Sequence, residues 1–248
     1  MKEKIATAKL ERQVINSMRD YFEKEGFIEI LPPKIVRASG ACENIDTLFE
    51  VWVNGNRNWF HSEESHPAYL PQTAQLYLEA FTPYLKKVFA VGPSFRAEPG
   101  SDDRHLIEFT MFKIEFAGGF KKLLKYIEGA IYKVVKDILA LPQKIKRELG
   151  LKKKDIQRLR KVKPVFPKVT YEEAIKILNL PFGDDIHSKD EQKLVERFGG
   201  HPIFITHHPN LLYDHGKEIE VEKFFNMITR SQESKICFIC RFNFANWR

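Results

Sequence analysis

A chain of 248 residues with 43% hydrophobic side chains is long enough to bury one sizeable core. None of its apolar runs is long enough to cross a bilayer, and its charged start, MKEKIATAKLERQ, is unlike a secretory signal. Cys42, Cys237 and Cys240, with no disulfide-like spacing, fit a reducing cytoplasm rather than an oxidising compartment.

The formal net charge of +7 is not evenly spread: residues 144–163 (KIKRELGLKKKDIQRLRKVK) hold ten Lys/Arg against two Asp/Glu and leave the remainder near neutral. Bracketed by Pro142 and Pro164, this run reads as a solvated, mobile excursion, with a nucleic-acid contact as its functional alternative.

In chain order, Leu10, Val14, Met18 and Phe22 recur at helical spacing and predict an amphipathic helix over 7–25, ended by Gly26. Phe27–Leu31 predicts a strand, and Pro32-Pro33 confines it to an edge or a chain crossing. Residues 37–50 read as a loop with Glu43 in its middle. Leu48–Val53 and Arg57–His61 read as two short strands around the turn Asn54-Gly55-Asn56. Residues 68–85 (AYLPQTAQLYLEAFTPYL) predict a loop and then a helix with Gln75 in its first turn.

Residues 86–117 (KKVFAVGPSFRAEPGSDDRHLIEFTMFKIEFA) predict two long strands joined by a short polar loop, carrying Arg96, Glu98, Arg104, His105 and Phe109. Period-2 alternation puts His105, Phe109 and Glu115 on one face and Leu106, Thr110, Phe112 and Phe116 on the other. Guanidinium groups that grip phosphate bidentately, beside a ring able to stack on a base, suit a nucleoside triphosphate.

Leu123 to Ile138 mark an amphipathic helix over 120–139. Thr170 with Glu173, and Ser188 with Glu191, have capping-box spacing for helices over 171–178 and 188–198. Residues 202–206 (PIFIT) predict a short apolar strand. His201, His207, His208 and His215 fit no metal-ligand spacing and read as loop histidines; the lone Cys237–Cys240 pair supplies half a zinc site.

Taken in order, these segments resemble the class II aminoacyl-tRNA synthetase core on its aspartyl/asparaginyl branch. GFIEILPPKI resembles motif 1, with Pro33 at the motif proline. FRAE…RHLIEF resembles motif 2 and is the specific signal. LPQTAQLYLEAF resembles the amino-acid-binding segment and PIFITHHP a later core strand. The resemblance implies an α+β fold with an antiparallel sheet flanked by helices, covering about residues 8–228 apart from the excursion at 142–164.

It also implies ATP and Mg2+ as cofactors and a homodimer through motif 1. Arg96 would bind the α-phosphate and the acyl-adenylate, Glu98 the adenine edge, Arg104 and His105 the outer phosphates, and Phe109 the face of adenine. Gln75 would contact the bound amino acid and Glu43 its ammonium group. Leu78 replaces the lysine that aspartyl enzymes use for their substrate's carboxylate, an asparaginyl mark. Lys113 stands where motif 2 carries an acid, and is expected to meet an aspartate carboxylate instead.

Two further departures shape the expectation. Motif 1 begins almost at residue 22, leaving no room for the family's anticodon-binding barrel. Free-standing cores of this branch include asparagine synthetases, which activate aspartate with ATP and let ammonia attack the adenylate; that is the favoured reading. Motif 3 is missing: after residue 199 only Gly200 and Gly216 are glycine, and the resemblance stops at Ile228. Shifting a back-translation of Thr229–Trp247 forward by one nucleotide can give PDPRNPRYVLSADLILPIG, in the family's style. Residues 1–228 are therefore expected to be a C-terminally truncated catalytic core, and 229–248 a frameshift product. Charging of tRNA remains an alternative, as does an inactive binding protein on the same core.

Overall fold

The computed structural model describes residues 1–39, 45–60, 66–97, 106–184, 186–207 and 236–241. They form two compact units, one from the described parts of Met1–Met18 and Leu124–Glu233, the other from those of Arg19–Leu123 and Ser234–Arg248.

The second unit is built on the predicted hairpin. Strands β4 (Lys87–Phe95) and β5 (Glu108–Phe116) pair antiparallel from Lys87↔Phe116 to Phe95↔Glu108. The amide of Arg96 reaches the carbonyl of Ile107 at 2.9 Å, so Arg96 stands just past the strand end rather than inside it. Strand β1 (Ile28–Glu29) pairs parallel with β4, and β8 (Ile236–Arg241) pairs antiparallel with β5, giving the order β1-β4-β5-β8.

One sheet face is aromatic. Phe89 and Phe112 stack at 5.1 Å, Phe22 at the end of helix α1 (Lys2–Lys24) lies 5.2 Å from Phe112, and Phe27 lies 6.1 Å from Phe116. Gly26 follows α1 with φ of 82°, the left-handed turn expected of it. The opposite face carries Val88, Ala90, Gly92 and Ser94 across from Glu115, Lys113, Met111 and Phe109. Helix α2 (Gln75–Leu85) covers one end of that face, where Leu78 packs with Val88 and Ala90.

The turn at Asn54-Gly55 forms with φ of 50° and 77°, as its sequence predicts. Its second arm does not pair as expected: β2 (Glu50–Val51) takes β3 (Ala68–Tyr69) as its partner, within what was expected to be loop. Arg57 instead grips the Glu50 carboxylate at 2.7 Å; with a second bond from Trp52 this lowers the Glu50 pKa to about 2.

In the first unit, helix α3 (Phe120–Ala140) buries Leu124, Ile127, Val134, Val135 and Ile138. The basic run folds as two helices, α4 (Gln143–Glu148) and α5 (Lys153–Lys161), anchored by buried Leu149 and Leu159. The run is thus helical, and nine of its ten cations are exposed, as a solvated segment leaves them.

Strand β6 (Lys168–Thr170) pairs parallel with β7 (Phe204–Thr206). Helix α6 (Tyr171–Leu178) starts on the expected capping box: Thr170 Oγ1 accepts from Glu173 N at 3.1 Å, and Glu173 accepts from Thr170 N at 2.7 Å. Helix α7 (Ser188–Arg197) differs, because His187 is its cap and Ser188 its first helical residue; no side-chain cap bond forms there.

Candidate functional site

The hairpin face opposite the Phe89–Phe112 stack carries Phe109 and Lys113, with Arg96 at one end and Gln75 on the helix that covers the other. At its far end the Arg96 guanidinium lies over the Phe109 ring, 5.7 Å from its centroid, and Phe109 is buried. A base that stacks on Phe109 must share or displace this cover, which costs about 0.5–2 kcal/mol, the range of a cation–π contact.

One step inward, Ser94 faces Phe109 in the register and is fully buried. Its hydroxyl accepts a bond from Lys113 Nζ at 3.0 Å. Lys113 is 2% exposed, an unusual setting for an ammonium group. It faces Ala90, the residue on which Leu78 packs. A cation thus arrives from the strand beside the point where the helix offers only leucine. Glu115, next on the same face, is also fully buried.

Gln75 opens α2 one turn before Leu78, so both lie on neighbouring faces of the helix. Its amide donates to Glu79 Oε1 at 3.0 Å, and its backbone N–H reaches Thr73 Oγ1 at 3.2 Å. The preceding segment is fixed by Gln72, which is 2% exposed and donates twice, from its side-chain amide to Thr47 Oγ1 at 2.8 Å and from its backbone N–H to Ser39 Oγ at 2.9 Å. Glu43, Glu98, Arg104 and His105 lie outside the described residues.

The chain matches the family model described as tRNA synthetases class II (D, K and N) over residues 2–242. The chain belongs to that family. Asparagine–tRNA ligase of Pyrococcus horikoshii is 35% identical over 210 residues, which are 82% of this chain and 45% of the relative. That of Koribacter versatilis is 31% identical over 216 residues, with the same shares. Among solved structures, asparaginyl-tRNA synthetase from Pyrococcus horikoshii complexed with asparaginyl-adenylate superposes with a TM-score of 0.73 at 30% identity, covering 97% of this chain and 51% of that one. The chain spans about half the length of the relatives it matches.

Within this class II synthetase core, the hairpin is the segment that resembles motif 2, and the β1 edge lies in the stretch that resembles motif 1. Ser94 lies outside the motif stretches, Lys34 lies inside GFIEILPPKI with no role assigned to it there, and neither was foreseen. Their only sequence signal is parity: each shares odd–even register with Ala90, through β4 or through β1. Family membership reaches past Ile228, since the match extends to residue 242 and β8 lies in the hairpin's sheet. No described helix is long and apolar enough to cross a membrane.

Proposed function

We propose that this class II core is an ATP-dependent, AMP-forming ligase that activates aspartate and passes the acyl group to ammonia, yielding asparagine. The aspartate side-chain carboxylate attacks the ATP α-phosphorus, an acyl–phosphate bond forms and pyrophosphate leaves. Ammonia then attacks the acyl carbon, the acyl–phosphate bond breaks and AMP leaves.

The observation that carries this reading is Lys113. Its ammonium is buried on the hairpin's site face and held by Ser94, and the residue pairs with Ala90, against which Leu78 packs; an extra cation there would neutralise an aspartate carboxylate. Arg96 would balance the charge that grows on the α-phosphate as pyrophosphate departs. Phe109 would carry the adenine once Arg96 swings from its ring onto phosphate, and Gln75 would hold the amino acid from the head of α2. Glu98, Arg104, His105 and Glu43 complete the proposed site as contacts to adenine, outer phosphates and substrate ammonium.

Mg2+ would accompany ATP and polarise its phosphates. Among the described residues no group of three or more His, Cys, Asp or Glu comes together to hold it. Exposed Ile28, Leu31 and Ile35 on the motif 1 edge support a homodimer there. The cysteine usage supports a cytoplasmic location.

A second reading, transfer to tRNA, is favoured by α4 and α5. Both acids of that segment are already engaged: Glu148 with Lys9 at 2.9 Å, and Asp155 with the amide of its own cap residue, Lys152, at 2.8 Å. The exposed cations around them form no ion pair among the described residues. Ammonium-dependent release of AMP from ATP and aspartate separates the two readings. AMP formation that requires tRNA and ignores ammonium would replace the first with the second.

A further inference from the structure

Beside the open face of the hairpin lies a third cation, Lys34, near the end of the stretch that resembles motif 1. Lys34 follows Pro32-Pro33 at the exit of β1. The parallel pairing Ile28↔Val88 puts the even-numbered residues of that edge on the same side as Val88 and Ala90, and Ile30 packs there against Leu78, Val88 and Ala90. Lys34 continues this parity. A Cβ built on Gly92 would lie 2.7 Å from Lys34 Nζ and 3.7 Å from its Cε, with nothing else that close. The ammonium therefore occupies the side-chain space that Gly92 leaves empty.

That space is well placed. Gly92 faces Met111, between the Ala90–Lys113 pair and the Ser94–Phe109 pair. Each lies one pleat away, roughly 6–7 Å along the strand. Lys34 is exposed, and among the described residues it makes no hydrogen bond or ion pair. Unlike Lys113 it keeps its water, so it can exchange that hydration for an anionic ligand without the cost of a buried charge. A Cβ at 92 would push the ammonium from this place, and Gly92 needs no left-handed backbone to explain its presence.

We propose that Lys34 is a substrate-binding residue whose ammonium receives an anionic oxygen at the junction of the two reactants, a carboxylate of the amino acid or a phosphate of the nucleotide. Gly92 is the residue that admits it. This rests on the adenylate-forming reading given above, and it adds a cation between the base platform and the buried lysine.

The test joins two variants that should fail alike. Lys34→Ala removes the cation, while Gly92→Ala adds one methyl that meets only the flexible end of Lys34 and suits a strand better than glycine does. Each should raise the KM for aspartate or for ATP by about ten- to a hundredfold, the range of one charge-assisted hydrogen bond. The double variant should be no worse than Lys34→Ala, because Gly92→Ala acts only through Lys34. Which KM moves tells carboxylate from phosphate.

A second readout needs no turnover. In protein with 13C-methylated lysines, the resonance lost in Lys34→Arg should move when aspartate or ATP is added to the wild-type chain. Adenylate formation that both single variants leave unchanged overturns the inference and spares the functional reading. A wild type that forms no adenylate, but whose Lys34 resonance moves with either ligand, overturns the functional reading and sustains this one. A resonance that moves with neither ligand overturns the inference.

Discussion

Replacing Lys113 by methionine should harm the protein in two separable ways. Lys113 and Glu115 are successive residues on one face of β5, roughly 6–7 Å apart at Cα, and are 2% and 0% exposed. Removing the cation leaves a carboxylate in the same dry region, and breaking a buried charge balance costs about 3–5 kcal/mol. The lost bond to Ser94 falls within that figure, since hydrogen bonds to charged groups contribute about 1.5–3 kcal/mol. Urea unfolding of Lys113→Met should therefore show a lower midpoint with an unchanged slope. The pair Lys113→Met with Glu115→Leu removes both charges and should recover most of that stability. Affinity for aspartate should not follow: both variants should show an aspartate KM at least about tenfold above the wild type, for want of one charge-assisted contact. A single variant with unchanged KM, or a double variant that recovers KM together with stability, refutes the assignment and leaves Lys113 as a core residue only.

Arg96→Ala should cost little stability, within about 2 kcal/mol for a lost cation–π contact, yet lower ATP–pyrophosphate exchange by about 100-fold or more; equal exchange in the variant would remove Arg96 from the site. Thr170→Ala should cost about 1 kcal/mol in urea unfolding as the cap of α6 is lost. Glu173 is held below the usual carboxylate range, first by the Thr170 amide and then by its hydroxyl, so its contribution exists above the unfolded pKa and disappears as pH falls through the lowered value. The variant should accordingly lose less stability than the wild type as pH falls from neutral through the carboxylate range. Changing Lys154, Arg158 and Lys161 of α5 to alanine should flatten the salt dependence of any RNA binding by about 0.7 per lost single-strand phosphate contact, as filter binding at several salt concentrations would measure. An unaltered slope would place RNA elsewhere.

Local chemistry was the legible part of this chain. Gly26, the Asn54-Gly55 turn, Gln75 at the head of α2 and the Thr170–Glu173 box each depend on residues a few positions apart, and the structure has them all. Non-local pairing was less so. The residues at 57–61 resembled a hairpin arm, but β2 found its partner at Ala68–Tyr69, because edge pairing is decided by whichever strand the fold brings alongside. The basic run hid two helices, since Leu149 and Leu159 are too sparse among its cations to register as an apolar stripe. At Ser188 the capping pattern misplaced the helix start by one residue, a common margin at helix ends.

The candidate site divides in the same way. Arg96, Phe109 and Lys113 were visible through the resemblance of FRAE…RHLIEF and its return strand to motif 2, and alternation along β5 puts Phe109 and Lys113 on one face. Ser94 was not, because its value lies in the cross-strand bond to Lys113. Lys34 was hidden more deeply, since only the parallel pairing of β1 with β4 brings it over Gly92.

The central claim is that this class II core forms an aspartyl-adenylate and yields asparagine. The most direct measurement is AMP release from ATP and aspartate, with and without ammonium and with asparagine followed as product. The account predicts AMP and asparagine appearing together, in equal amounts and only when ammonium is present. AMP that appears only with tRNA, or no AMP with any amino acid, would contradict it.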